Sequence, residues 1–263
     1  GKAFAKLSEH NPDISYKYVS CDTETKGHFE IPAWALSADD WAIMLRATEK
    51  TQLPVLHRAV DIAKVFYDDE NHDDEVKNHI LASTLLGIIN SSDSSPSKAD
   101  KLKAIIMQFK TNEINMHINV PGTSKSLGRC MEVSYGSMND IDEVTEMLQE
   151  YIRNDVGNLN IKKEVPYSLS EFAEAVQFAT MYEGSISSQR IQEYTSTLTT
   201  RLQSIADGSE GKIFVKTSFK SIKEYIEYLF GADQILDLDI SMLDDSSCEV
   251  ITKVLSKIIL DYL

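Results

Sequence analysis

The stretch that most constrains this chain is residues 232–263, which reads as a core strand feeding a long helix. In residues 234–240, Leu236, Leu238 and Ile240 share one face at period two, while Asp237 and Asp239 fall on the other beside Ile235. The spacing Ser246-Ser-Cys-Glu249 predicts a capping box, in which hydroxyl and carboxylate satisfy the free amides of a helix start. The helix after it carries Val250, Val254, Leu255, Ile258 and Ile259 as an apolar stripe and runs to Leu263 without a stop signal. A parallel strand covered by helices on both faces is apolar on both. This one is half acidic, so either its second face looks into a cleft or its cover lies elsewhere.

A chain of 263 residues can bury roughly three quarters of its extended surface, enough for one large domain or two small ones. Three cysteines, at 21, 130 and 248, form no CxxC and leave an odd thiol, which argues against a disulfide framework or a cysteine zinc site. A reducing cytoplasm is the expected compartment. Six scattered histidines make no ligand cluster, and no apolar run approaches the ~20 residues of a membrane helix, so a soluble chain without a membrane partner is expected. The net charge of −15 opposes nonspecific binding to nucleic acid, because affinity for phosphate comes mostly from Lys and Arg. If DNA is a partner, other segments must hold it.

Taken in order, residues 1–7 put Ala3, Phe4 and Leu7 on one helical face with no cap before them, as if the chain began inside an element. Residues 16–21 read as a strand, and Phe29-Glu-Ile31 extends into Pro32. Ser37 caps a helix with Asp40 three residues on, and Trp41, Met44 and Leu45 face inward. Thr51 and Pro54 open the next helix, whose stripe is Val55, Leu56, Ala59, Val60, Ile62, Ala63 and Phe66. The acidic run 68–75 lacks the Gly and the alternating ligands of a calcium loop and reads as a solvated turn. A helix is predicted over 74–90, and Ser97 is predicted to cap the one that follows.

Alternation through Ile114, Met116, Ile118 and Val120, and again through Met131, Val133 and Tyr135, predicts a hairpin over 113–135 around the loop 121–128. That loop, Pro-Gly-Thr-Ser-Lys-Ser-Leu-Gly, fails the spacing of a phosphate-binding P-loop and reads as a hairpin tip. Helical periodicity returns over 139–154. Ser168-Leu-Ser-Glu171 opens another helix with Gly184 as its stop, and the next helix ends at Gly208. A short strand at 213–215 and a helix capped by Ser221 and ended by Gly231 lead back to the last strand.

The order predicts a predominantly helical α/β chain: core strand and helix material in 1–36, a helical bundle inserted over 37–208, and core strands and helices in 209–263. No GxGxxG, P-loop, HExxH, GxSxG or kinase signature is present, so no catalytic residue is assigned in this segment. His57 and Asp61, four apart on a helix, have the spacing of a metal pair or of an ordinary surface pair. Arg201, after Thr199 and Thr200, is a candidate for a phosphate or a subunit interface, with a solvated side chain as the plainer reading.

Two blocks resemble the HerA-type family of hexameric, RecA-like DNA translocase ATPases, related to the FtsK and conjugative-ATPase group. The first is Phe29-Glu-Ile-Pro-Ala-Trp-Ala-Leu-Ser-Ala-Asp-Asp-Trp41, continuing through Thr51-Gln52 and the helix to Phe66. It is similar to a family segment in which an extended Pro-Trp stretch precedes a helix and a Thr-Gln step. The second is residues 235–263, similar to a strand ending in Asp-Leu-Ser and its following helix; Arg201-Leu-Gln-Ser204 and Gly1-Lys-Ala-Phe4 also resemble family segments. The resemblance implies a helical-bundle insertion on part of a RecA-like P-loop core. It implies that this is the middle of a longer ATPase, with the Walker A loop before it and the Walker B strand and arginine fingers after it. For that parent it implies ATP and Mg2+ as cofactors, a homo-hexameric ring and DNA as partner, whereas a nuclease or another effector is the partner expected of the rival interaction-module reading. It also puts Asp239 and Ser241 at the carboxyl end of a core strand, as cofactor-site candidates or as a turn fixed by hydrogen bonds. The segment alone is expected to hydrolyse no ATP and to bind nucleotide weakly, with strand 235–240 lacking its parallel neighbours. The other class of reading is an acidic helical interaction module without catalysis.

Overall fold

The computed structural model describes residues 13, 15–22, 24, 27–68, 74–153, 164–186, 189–208, 210–215, 219–231 and 235–262, with side chains described outside 184–195 and 215. The fold is mostly helical with a few short strands. It divides into two compact units, one of residues 1–67, 162–176 and 196–263, the other of 68–161 and 177–195. No helix among the described residues is long and apolar enough to cross a membrane. The helix expected over 1–7 and most of the acidic turn, residues 69–73, lie outside the described residues.

In the first unit, β1 (Tyr16–Ser20) pairs in parallel with β6 (Ile235–Asp239), Tyr16 opposite Ile235 and Ser20 opposite Asp239. The expectation that 235–240 lacks parallel neighbours is therefore corrected on one edge, where β1 pairs with 235–239; on the other edge no strand pairs with it among the described residues. The predicted facing follows from this register: Tyr16, Tyr18, Ser20, Asp237 and Asp239 share one face, and Lys17, Val19, Leu236 and Leu238 the other. On the second face Lys17 Nζ donates to the carbonyls of Tyr228 and Leu229, at 3.1 and 3.0 Å. These carbonyls lie in the last turn of α9 (Ile222–Phe230), where a cation is favoured by the helix dipole. A second parallel pair joins β2 (Ile31–Pro32) to β5 (Phe214–Val215), and a parallel bridge from Ser20 to His28 links β1 to the stretch that enters β2.

Around these strands pack α1 (Ala38–Met44), α2 (Leu53–Phe66), the start of α7 (Leu169–Ile186), the end of α8 (Gln189–Asp207), α9 and α10 (Asp245–Tyr262). The predicted box at Ser37 is formed: Ser37 Oγ accepts the Asp40 amide at 3.3 Å and Asp40 Oδ2 accepts the Ser37 amide at 3.0 Å. The same reciprocal bonds join Ser168 and Glu171. Trp41 stacks on Phe172 with ring centroids 4.6 Å apart, and Phe214 lies 5.4 Å away on the tilt. Two caps differ from expectation. Helix α10 is capped by Asp244, whose Oδ1 accepts the Ser247 amide at 2.7 Å, and not by Ser246. A charged acceptor holds helix amides better than a neutral hydroxyl, and the bond to Ser247 keeps the Asp244 carboxyl below its ordinary range. Helix α7 runs through Gly184 to Ile186, because one glycine costs a long helix only about 1 kcal/mol.

The second unit contains α3 (Asp74–Ile89), α4 (Ser95–Gln108) and α6 (Ile141–Gln149), with Phe109 and Phe178 in ring contact at 4.6 Å. Ser94, and not Ser97, precedes α4, since Pro96 fits a first turn whose amides have no intrahelical acceptor. The predicted hairpin over 113–135 is corrected. Residues 111–126 form consecutive turns with a single antiparallel bridge, Asn119 to Ser126, followed by the short α5 (Leu127–Cys130). Local polar groups take the backbone donors a ladder would use: Thr111 Oγ1 accepts the Ile114 amide at 2.9 Å and Asn115 Oδ1 the His117 amide at 3.0 Å. The hairpin sits instead at β3 (Val133–Ser134) and β4 (Ser137–Met138), turning at Tyr135 and Gly136 with φ of 50° and 86°.

Candidate functional site

Asp239 closes β6 and both its oxygens are engaged. Oδ1 accepts the Ser241 amide at 3.0 Å and Oδ2 the Tyr18 hydroxyl at 2.7 Å. These bonds, Ser241 first and Tyr18 second, bring the carboxyl down to about 2. A group that acidic is a poor proton acceptor near neutrality, so its chemistry there is that of a fixed negative charge. Residues 237–241 line an open depression, and Ser241 is exposed at its rim. One residue earlier on the same face, Tyr16 donates to Asp237 at 2.7 Å, and burial followed by that bond pushes its hydroxyl up to about 12.

Arg201 reaches neither Asp239 nor Ser241 by any hydrogen bond among the described residues. Its Nη1 donates to the carbonyls of Leu45 and Arg46 at 2.8 and 2.9 Å. Those carbonyls end α1 in a Schellman turn, with the Ala47 amide on Ala42 O and the Arg46 amide on Ile43 O. Position 46 takes the left-handed conformation, φ 48°, that glycine usually supplies. Arg201 thus fixes a strained helix end, and Arg46 in turn points its guanidinium to within 3.6 Å of Asp244 at the start of α10.

His57 and Asp61 do line one groove of the first unit, a cavity of about 600 Å3 shared with Ser37, Lys64, Lys223 and Lys257. His57 Nε2 lies 3.9 Å from Asp39 Oδ1, so its nearest carboxylate is on α1. Partial desolvation pushes the Asp61 carboxyl up and the Lys64 ammonium down, each toward its neutral form. Lys64 escaped the sequence reading, although positions 57, 61 and 64 recur on one helical face. In the wall of the same groove Asp40, 4 % exposed, meets Lys253 Nζ at 2.7 Å. Among the described residues no group of three or more His, Cys, Asp and Glu is arranged to hold a metal ion.

In the second unit, Lys125 of the loop 121–128 pairs with Asp140 at 2.7 Å, and Thr123 Oγ1 donates to Val120 O at 3.0 Å. The loop folds onto its own neighbours. Neither a protein-family model nor a curated protein matches the chain.

Proposed function

We propose that this chain is part of an ATP-driven DNA translocase of HerA type, acting in a ring-forming motor subunit with a RecA-like core. The observation that carries the reading is the parallel pairing of β1 and β6 with a strongly acidic Asp239 at the carboxyl end, beside the parallel pair β2 and β5. Open parallel sheets bind their ligands beyond the carboxyl ends of their strands. Both blocks that resemble the family lie in that unit, the first entering through β2 and α1, the second running through β6 and α10. ATP with Mg2+ and a DNA partner held by other segments belong to this proposal. The test is the ATPase rate of the full-length gene product with and without duplex DNA, for the wild type and for Asp239→Ala. DNA-stimulated turnover that falls in the variant by more than its stability loss explains supports the reading, and absence of turnover in the wild type ends it.

A second reading, an acidic interaction module without catalysis, is favoured by Tyr135. Its side chain is fully exposed at the tip of the β3–β4 hairpin, where its ring is open to a partner.

A further inference from the structure

The carboxyl ends of β1 and β6 also bring together two of the three cysteines. The Cys21 amide donates to Asp239 O at 3.1 Å, which extends the β1 register by one residue and puts the Cys21 side chain on the face of Lys17 and Val19. Cys248, in the first turn of α10, rests its Sγ 3.5 Å from the carbonyl of Ile240, the residue next to Asp239, and 3.8 Å from that of Leu243. Helix α10 buries Val250, Ile251 and Val254 and packs against α1 and α9, the helix whose end Lys17 caps on that face. Cys21 through its amide and Cys248 through its sulfur therefore sit on the neighbouring carbonyls of Asp239 and Ile240, which brings the two residues to one strand end. We propose that Cys21 and Cys248 are a thiol pair that closes to a disulfide under a disulfide oxidant such as oxidised glutathione, pinning the first turn of α10 to the end of β1.

The two partners differ in access as the reaction requires. Cys248 is half-exposed and Cys21 buried, so Cys248 meets the oxidant first. Its thiolate attacks one sulfur of oxidised glutathione, breaking that S–S bond and releasing one glutathione. The Cys21 thiolate then attacks Cys248 Sγ and releases the second glutathione. Two thiol protons leave on the two glutathiones, and two electrons pass from the cysteines to the oxidant. Burial, followed by the charge of Cys248, raises the Cys21 thiol to about 12, which makes the second step the slow one. Cys130 is fully buried elsewhere, in the second unit, and serves as an internal control.

The folded protein, equilibrated in glutathione buffers of rising oxidised fraction, is quenched with acid and peptide-mapped by mass spectrometry. The expected product links the peptides of Cys21 and Cys248, leaves Cys130 free and raises the thermal midpoint by several degrees, because the bond joins positions far apart in the chain. Cys21→Ser should stop at the mixed glutathione disulfide on Cys248, and Cys248→Ser should form neither product. A wild-type chain that accumulates only the mixed disulfide, pairs Cys130, or forms the Cys21–Cys248 link only in denaturant overturns the proposal. Because the readout is covalent and needs no turnover, it stands or falls apart from the motor reading.

Discussion

Tyr18 Oη donates to Asp239 Oδ2 at 2.7 Å, although the residue opposite Tyr18 in the parallel register is Asp237. Tyr16 makes the same diagonal step to Asp237 from its place opposite Ile235. Each phenol is long enough to reach two residues along the neighbouring strand, so the two rungs interlock. Removing the Tyr18 hydroxyl removes a bond that favours the ionised carboxylate of Asp239. In Tyr18→Phe the Asp239 pKa should rise from about 2 toward the ordinary carboxylate range, as followed by NMR titration of the side-chain carbonyl. The depressed folded-state pKa means that this contribution to stability is fully present above the unfolded value near ~4, and is lost as pH falls toward about 2. The wild type should therefore lose more stability than Tyr18→Phe across that window. An Asp239 midpoint that does not move would show that Ser241 alone sets it.

Lys253→Met should destabilise the first unit by about 1 to 3 kcal/mol, because it strips the ammonium from a carboxylate that is almost fully buried. Burial alone would raise the Asp40 pKa, but Lys253 and Ser37 together hold it below the ordinary value. With the folded pKa depressed, the pair stabilises above the unfolded value near ~4 and the effect fades as pH falls through the folded one. Urea titrations at neutral and at acid pH check the sign. Equal losses at both would place the effect in the stem of Lys253 and not in its charge.

Arg201→Met should cost about 1 to 2 kcal/mol by uncapping the carbonyls of Leu45 and Arg46. Arg46→Gly should be neutral or stabilising by up to about 1 kcal/mol, since glycine takes a positive φ without strain. Its surface ion pair with Asp244 is worth little. Chemical denaturation of both variants separates the two effects. An Arg201→Met variant of wild-type stability would free that residue for the phosphate or interface role its position in the sequence suggested.

Leu56→Asp should unfold the first unit. The side chain of Leu56 has no exposure, and an unpaired buried carboxylate costs several kcal/mol against a total of ~5 to 15. Circular dichroism and the thermal midpoint give the readout. A variant that melts like the wild type would mean that α2 presents a different face to its core.

Periodicity and capping chemistry were enough for the sequence to determine the helices and the facing of the last strand. The stripe on α2, the boxes at Ser37 and Ser168, the strand at 16–20 and the placement of Asp237 and Asp239 opposite Leu236 and Leu238 depend on neighbours at most four residues apart. The tertiary structure decided what short-range pattern does not encode. The alternation at 114–120 looked like a strand, but Ile114 and Val120 are buried from consecutive turns, and the hairpin moved to Tyr135 and Gly136. Arg201 looked like a free cation until the fold brought the end of α1 beneath it. Asp239 could be put at a strand end from sequence, yet its low pKa needed Tyr18, whose phenol arrives from a strand more than two hundred residues earlier. The placing of Cys21 and Cys248 at the adjacent carbonyls of Asp239 and Ile240 has the same origin, because contacts between distant segments are fixed by packing, which no local spacing records.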